Sequence, residues 1–472
     1  MLMLAACGTA AAQEDHPQLQ ERIARIENGL REPVAVAGQA ARTMRLADRM
    51  RQWRVPGVSI AVINHGAIEW ARGYGVTDAG GSQPVTPDTP FQVGSVSKPV
   101  AAVLALQLSA AGKVKLDEDV NQRLLTWKVP ATARPVTLRA LLSHTAGMPE
   151  FDLPGYGVDV PMPTLLQVLH GQKPAINPPV TPSGGNDYAY SSLGYAAMQQ
   201  ALADASGQPF DMLASTMTLA PLGMRDSAFA PSLPAAVAAR AAAGHDLEGT
   251  VLPGRWRRHI ELAADGLWST APDLARFAIA IQRAAAGTLP TWLPQAQARA
   301  MLTTVRDDYG LGVELDHAGR EPAFHHSGSN IGYKALLFAY ARTGQGAVIL
   351  ANGDGGWPLV EEIMRSIAIE YGWEDFHPIE RPAVPAKTAL FDSYVGQYRV
   401  SNTTLRVFRD GDRLLVAGPP LGPQPLEAVP AGDHGFFFRE KDATLRFDPN
   451  GGQPVQTLTF VDGRPRPGKR LP

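Results

Sequence analysis

The chain has 472 residues, an apolar fraction of 45% and 43 basic against 45 acidic residues, a net charge of −2. That length suits two or three domains, and the charge balance leaves no electrostatic footprint for nucleic acid or an anionic membrane surface. There is no internal repeat, no apolar run long enough to span a bilayer, and only one cysteine, Cys7, which excludes an intrachain disulfide.

From the N-terminus, Leu4-Ala5-Ala6-Cys7-Gly8 resembles a bacterial lipoprotein cleavage box, in which the cysteine becomes lipidated. Only Met1-Leu2-Met3 precedes it, shorter than an ordinary signal peptide and without a basic start. The expectation is an exported protein, periplasmic or held to a membrane by a lipid on Cys7, with a signal remnant and disordered tail over 1–17. Helical patterns follow at Leu19 to Arg31 and Ala41 to Trp53 and end at Pro56-Gly57. Val58 to Ile63, His65-Gly66 and Ala67 to Tyr74 read as a β-hairpin, with Gly66 supplying the turn. Val96 to Ala111 is an apolar, alanine-rich helix with Gly112 as its C-cap.

The stretch from Leu116 to Gly287 reads as helices and long loops, with Pro and Gly clustered at 145–163 and 173–185. Ala335 to Ala341 and Ala347 to Ala351 form a second hairpin, and Leu359 to Tyr371 a closing helix. Strands at both ends of a helical middle predict an α+β domain over 18–376. Its single antiparallel sheet is built from both chain ends, with a helical lobe inserted and a cleft between them. The proline-rich segment 377–389 reads as a linker. Beyond it, over 390–472, Tyr394 to Val400, Thr404 to Arg409, Arg413 to Ala417, Gly435 to Arg439, Ala443 to Phe447 and Val455 to Val461 are strand-like. Turns at Asp410-Gly411-Asp412, Asn450-Gly451-Gly452 and Asp462-Gly463 punctuate them, as in a small antiparallel barrel or sandwich.

The chemistry centres on Ser95-Val96-Ser97-Lys98, the one place where a lysine follows a serine by three residues. Residues i and i+3 share a helix face, so the lysine amine can reach the serine hydroxyl. Pro99 is tolerated only in a first helical turn, which sets the helix start near Ser95 and puts its oxygen at the positive end of the helix dipole. Taken alone, the same pair is explained by an N-cap serine and a solvated lysine. Two further segments change the weighing: Tyr188-Ala189-Tyr190-Ser191-Ser192-Leu193-Gly194-Tyr195, after the glycine-rich Ser183-Gly184-Gly185, and His325-His326-Ser327-Gly328-Ser329-Asn330-Ile331-Gly332-Tyr333.

In this order and spacing the motifs resemble the serine β-lactamase-like hydrolases of the penicillin-binding-protein fold. That group includes class C β-lactamases, D-alanyl-D-alanine carboxypeptidases, D-aminopeptidases and related esterases. Ser95–Lys98 fits its S-x-x-K, Tyr190-Ser191-Ser192 most of its Y-x-N, and His326-Ser327-Gly328 the histidine form of its third motif. Leu141 to Met148 and Gly266 to Ala271 are similar too, and the resemblance spans about residues 43–373. The resemblance implies that Ser95 attacks a carbonyl to form an acyl-enzyme. Lys98 would act as or hold the base, with its pKa lowered, and Tyr190 would carry a proton for the leaving group or water. The backbone N–H groups of Ser95 and Ser329 would form an oxyanion hole, and Ser192, His326, Ser327 and Gly328 would bind substrate. It implies no metal or cofactor, and a small ester, amide or peptide as the substrate. The C-terminal region resembles the lipocalin-like β-domains appended to some of these hydrolases.

Two positions depart from the pattern. Ser192 stands where asparagine is usual, and it is shorter with a single donor proton. His326 stands where the lactamases have a lysine, and near pH 7 it is mostly neutral. Both lower the expectation of a β-lactamase and leave an esterase or peptidase open. The alternatives are a β-lactamase or D-Ala-D-Ala carboxypeptidase, and a catalytically silent sensor that keeps the fold. His144 is expected to hold a loop, Asp265-Gly266-Leu267-Trp268 to pack beneath the cleft, and adjacent His325 and His326 to face opposite ways in a strand. The Gly-x-Ser-x-Gly elbow of α/β-hydrolases is absent.

Overall fold

A computed structural model describes residues 17–317, 319, 321–449 and 454–472. The lipoprotein box with Cys7 and the turn at Asn450-Gly451-Gly452 lie outside the described residues. No helix among those described is long and apolar enough to cross a membrane. The chain forms two compact units: one from Met50–Val360 with the described residues up to Gln20, the other from Glu21–Arg49 and Glu361–Pro472.

The first unit is organised on a six-stranded, wholly antiparallel sheet. Its strands are β1 (Gly57–Asn64), β2 (Ala67–Gly75), β3 (Glu314–Asp316), β4 (Ala323–Asn330), β5 (Tyr333–Tyr340) and β6 (Gly346–Ala351). The order across the sheet is β2-β1-β6-β5-β4-β3, so the early hairpin and the late strands lie side by side, as the pattern of strands at both ends predicts. The β1–β2 turn works because His65 and Gly66 both take positive φ, 51° and 72°, the twist that two-residue hairpin turns require.

Helix α1 (Ser97–Ala110) follows a short 3₁₀ turn, Gly94–Val96, that contains Ser95. Every residue from Ser97 to Leu108 is buried, which is why the segment is apolar all round rather than striped. Gly112 ends it at φ +70°, with Lys113 N–H donating to Leu108 O. Helix α2 (Ser192–Ser206) packs against α1 and α3 (Ala271–Ala286) against the sheet, each capped by a hydroxyl: Ser191 accepts from Gly194 N–H and Thr270 from Asp273 N–H.

The inserted lobe differs from its expectation in one respect. It holds a small sheet of Phe91–Gln92, Leu267–Ser269 and Ala228–Phe229. Strands of two or three residues are too short to leave a period-2 signal. The central one is fastened to α1 by Leu267 N–H donating 3.0 Å to Ser97 Oγ, so the second serine of the S-x-x-K motif has a structural task of its own.

In the second unit, nine strands make one antiparallel sheet whose two edge strands, Gly422–Glu427 and Val429–Pro430, are separated in the chain by Ala428 alone. A sheet whose edges are chain neighbours must curl back on itself, and it does so as a barrel-like structure around Tyr394, Tyr398, Phe436 and Phe447. Tyr394 stacks on Phe447 with ring centroids 4.3 Å apart. Arg464–Arg470, charged and proline-bearing, was not expected as a strand. Pro465 and Pro467 pair only with Val461 and Thr459 on one side, while the strand Gly396–Val400 on the other side meets only Gly468 to Arg470, so their missing N–H groups break no ladder there.

The region 377–389, read as a linker, contains Ile379–Arg381, which pairs in parallel with Val34–Val36. The helix expected over Ala41 to Trp53 is only Leu46–Gln52. Arg49 and Glu362, both buried, form an ion pair in this unit, with Arg49 Nε donating 2.8 Å to Glu362 Oε2. Removing one member of such a pair strands the other charge. Glu362→Ala is therefore expected to lose roughly 3 kcal/mol of unfolding free energy in urea titration. A loss within about 0.5 kcal/mol would mean the pair is dispensable.

Candidate active site

The 3₁₀ turn and α1 deliver Ser95 and Lys98 to the same point by local geometry alone. Lys98 Nζ donates to Ser95 Oγ at 2.9 Å, to Ser192 Oγ at 3.1 Å and to Ala264 O at 3.2 Å. The ammonium has three protons, and each has an acceptor. Asp265 Oδ1 lies 3.6 Å from Nζ and 3.1 Å from Ser95 Oγ, which donates to it. The lysine is fully buried. Burial, the largest influence, pulls its pKa down, but Asp265 and then Tyr190 outweigh it, and the net shift is upward. This corrects the expected lowering: in the resting site Lys98 is a held cation.

Asp265 is the site residue that sequence reasoning missed, having been assigned to packing beneath the cleft. No motif marks it. It is delivered by the Leu262–Asp265 turn, whose surroundings fix it on both sides. Asn330 Nδ2 donates to Asp265 O at 3.1 Å, and Ser97 secures Leu267 just beyond. Only the three-dimensional meeting of these segments reveals the carboxylate.

Tyr190 lines the same cavity, its ring centroid 4.9 Å from Lys98 Nζ. It comes from the loop before α2, which is held by a directional chain. Ser191 N–H donates to His144 Nδ1 at 3.0 Å, which makes Nε2 the protonated nitrogen facing Tyr309 Oη at 3.3 Å. Tyr309 Oη then donates to His326 Nε2 at 3.0 Å, and His326 Nδ1–H donates to Ser327 O at 2.7 Å. One assignment of protons satisfies all four contacts. His144 thus holds a loop, at a positive φ of 56°, and ties it to β4.

Both imidazoles are buried and neutral. Burial first, and then the Lys98 charge, pushes His326 down to about 3 and His144 well below its ordinary value. With both ring nitrogens engaged, His326 offers substrate a neutral wall rather than a donor.

The β4 strand approaches Ser95 closely because two glycines allow it. A Cβ on Gly94, itself at φ +51°, would fall 2.7 Å from Ser329 N, and a Cβ on Gly328 would collide with Val93 O. Backbone therefore meets backbone, and Ser95 and Ser329 both line one cavity of about 680 Å³. Ser192, His326 and Ser327 line it too. Gly328 contributes contact with the Ser95 turn instead.

A profile of the family described as Beta-lactamase matches residues 44–369. The chain belongs to the β-lactamase family of hydrolases. It is similar to the esterase EstB of Burkholderia gladioli, 28% identical over 323 residues covering 60% of this chain and 78% of that protein. Penicillin-binding protein 4* of Bacillus subtilis is 22% identical over 433 residues, covering 84% and 91%. Among solved structures, the octameric penicillin-binding protein homologue from Pyrococcus abyssi superposes with a TM-score of 0.61 at 22% identity, over 90% of this chain and 98% of that one. The likeness in fold thus reaches past the residues the family profile matches.

Two outcomes check this geometry. Asp265→Asn removes the leading upward influence on Lys98, so the limb of the pH profile for Ser95 labelling that Lys98 governs is expected to move down by roughly one pH unit or more. An unmoved limb would show that the two groups are uncoupled. His326, about 3 in the folded chain against 6.5 ordinarily, binds a proton more readily when unfolded. Its contribution to stability is complete above pH 6.5 and is lost as pH falls toward 3. Thermal midpoints should drop between pH 7 and pH 5, and the drop should be smaller in His326→Gln.

Proposed function

We propose that the protein cleaves an ester or amide bond through a covalent acyl-enzyme on Ser95. The observation that carries the reading is Ser95 Oγ held at 2.9 Å by a buried Lys98 ammonium and donating its own proton to Asp265 at 3.1 Å. A hydroxyl held between a fixed cation and a carboxylate is oriented for attack. The developing oxygen charge meets Lys98, while the proton has an acceptor already in place. The amides of Ser95 and Ser329 serve the carbonyl oxygen at the cavity rim, and Tyr190 on the cavity wall passes a proton to the leaving group. Water then hydrolyses the acyl-enzyme by the reverse proton path, leaving Ser95 free.

The chain's similarity to proteins named as an esterase and as a penicillin-binding protein supports the bond class. Ser192 favours an ester over a peptide. Its single hydroxyl lies 3.1 Å from Lys98, so it has less to offer a substrate amide than the family's asparagine. The Ser95–Lys98–Asp265 contacts are complete, which favours turnover over a silent sensor.

A fluorophosphonate should label Ser95, as read by peptide mass spectrometry. Ser95→Ala should abolish labelling and reduce hydrolysis of short-chain nitrophenyl esters by at least ~1000-fold. Ester hydrolysis that survives in Ser95→Ala would overturn the proposal.

A further inference from the structure

Among the described residues, the cavity around Ser95 is lined by five acidic residues, Glu150, Asp152, Asp265, Glu314 and Asp354, and by no lysine or arginine. Two of these charges are balanced from behind: Asp265 by Lys98 at 3.6 Å and Asp354 by Lys334 at 2.8 Å. Among the described residues, Glu314 is paired with a histidine alone, His325 Nδ1 at 3.8 Å. Glu150 and Asp152 are exposed on the loop leading away from Ser143–Gly147 and meet no cation among the described residues. The uncompensated carboxylates come from two separate segments, Glu150 and Asp152 from the loop after Met148 and Glu314 from β3 beside β4.

Two of these carboxylates act on one neighbour of Tyr190: after burial, Glu314 and, more weakly, Glu150 push the Tyr188 hydroxyl upward. Trp357 and Tyr190 add aromatic residues to the lining, and the Tyr190 ring already lies 4.9 Å from a cation, Lys98 Nζ. His326, neutral, supplies no countercharge where a substrate carboxylate would otherwise be met.

We infer that this site selects an ester or amide substrate that carries a positively charged amine, and that it disfavours substrates bearing a carboxylate. The inference rests on the acyl-enzyme reading of Ser95 and adds the charge of the substrate. A cavity walled by one sign of charge concentrates ligands of the other sign and repels its own. Paired Asp265 and Asp354 contribute little at range, so the selection is assigned to Glu150, Asp152 and Glu314.

The test uses the full chain and three p-nitrophenyl esters of matched length: 6-aminohexanoate, heptanoate and the mono-ester of pimelate. Fluorophosphonate labelling of Ser95 is measured first, because its absence would overturn the acyl-enzyme reading itself. With Ser95 labelled, kcat/KM for the amine ester is expected to exceed that for the carboxylate ester by about tenfold or more at low ionic strength. That ratio should contract in 1 M salt, where the Debye length is about 3 Å. It should also contract in the double variant Glu150→Gln with Asp152→Asn, where the heptanoate ester reports any general loss of activity. A ratio near one in the wild-type protein, or a ratio unchanged by both salt and the double variant, would overturn the charge inference and leave the acyl-enzyme reading standing.

Discussion

A buried lysine ammonium is costly unless each of its protons is accepted and its charge is answered. Lys98 meets both conditions by drawing on three separate parts of the chain: the Ser95 turn, the start of α2 at Ser192, and the Leu262–Asp265 turn. The nucleophile, the start of α2 beside Tyr190 and the missed carboxylate thus converge on one requirement, the solvation of a single cation by protein instead of water.

That requirement is met inside a frame made elsewhere. The antiparallel sheet supplies β4, α1 supplies a wholly buried axis, and Ser97 and Asn330 fasten the turn that carries Asp265. The histidine chain from Ser191 to Ser327 does the matching job for the opposite wall. Neutral imidazoles suit it, because a neutral ring has one donor and one acceptor and so gives the chain a direction.

The sequence made the outline of the fold readable, because the features concerned are local. Pro99 and the alanine-rich run mark α1, His65-Gly66 marks a hairpin, and alternation marks most C-terminal strands. Ser95, Lys98, Tyr190, Ser192 and His326 were readable as a constellation through motif order, and the structure brings four of them to one cavity with Lys98 buried behind Ser95 and Ser192. What escaped is what depends on distant partners. Asp265 carries no local signal, because its meaning lies in Lys98, far away in the chain. The two- and three-residue strands of the lobe exist by pairing alone, and Arg464–Arg470 is a strand in spite of its composition. The sign of the Lys98 shift also escaped, since burial argues one way and the unseen carboxylate the other.

The contact between the Ser95 turn and β4 has a consequence of its own. Gly94 and Gly328 let main chain rest on main chain, so the spacing at the reaction centre is fixed by atoms that every amino acid shares. Side chains on the cavity walls do not act as spacers there. The loop at Glu150 to Pro154 and the end of β3 are free to be re-dressed with other charges or shapes while the distance between the attacking oxygen and the Ser329 amide stays the same. The protein thus separates a gauge, cut in backbone, from a selector, written in side chains.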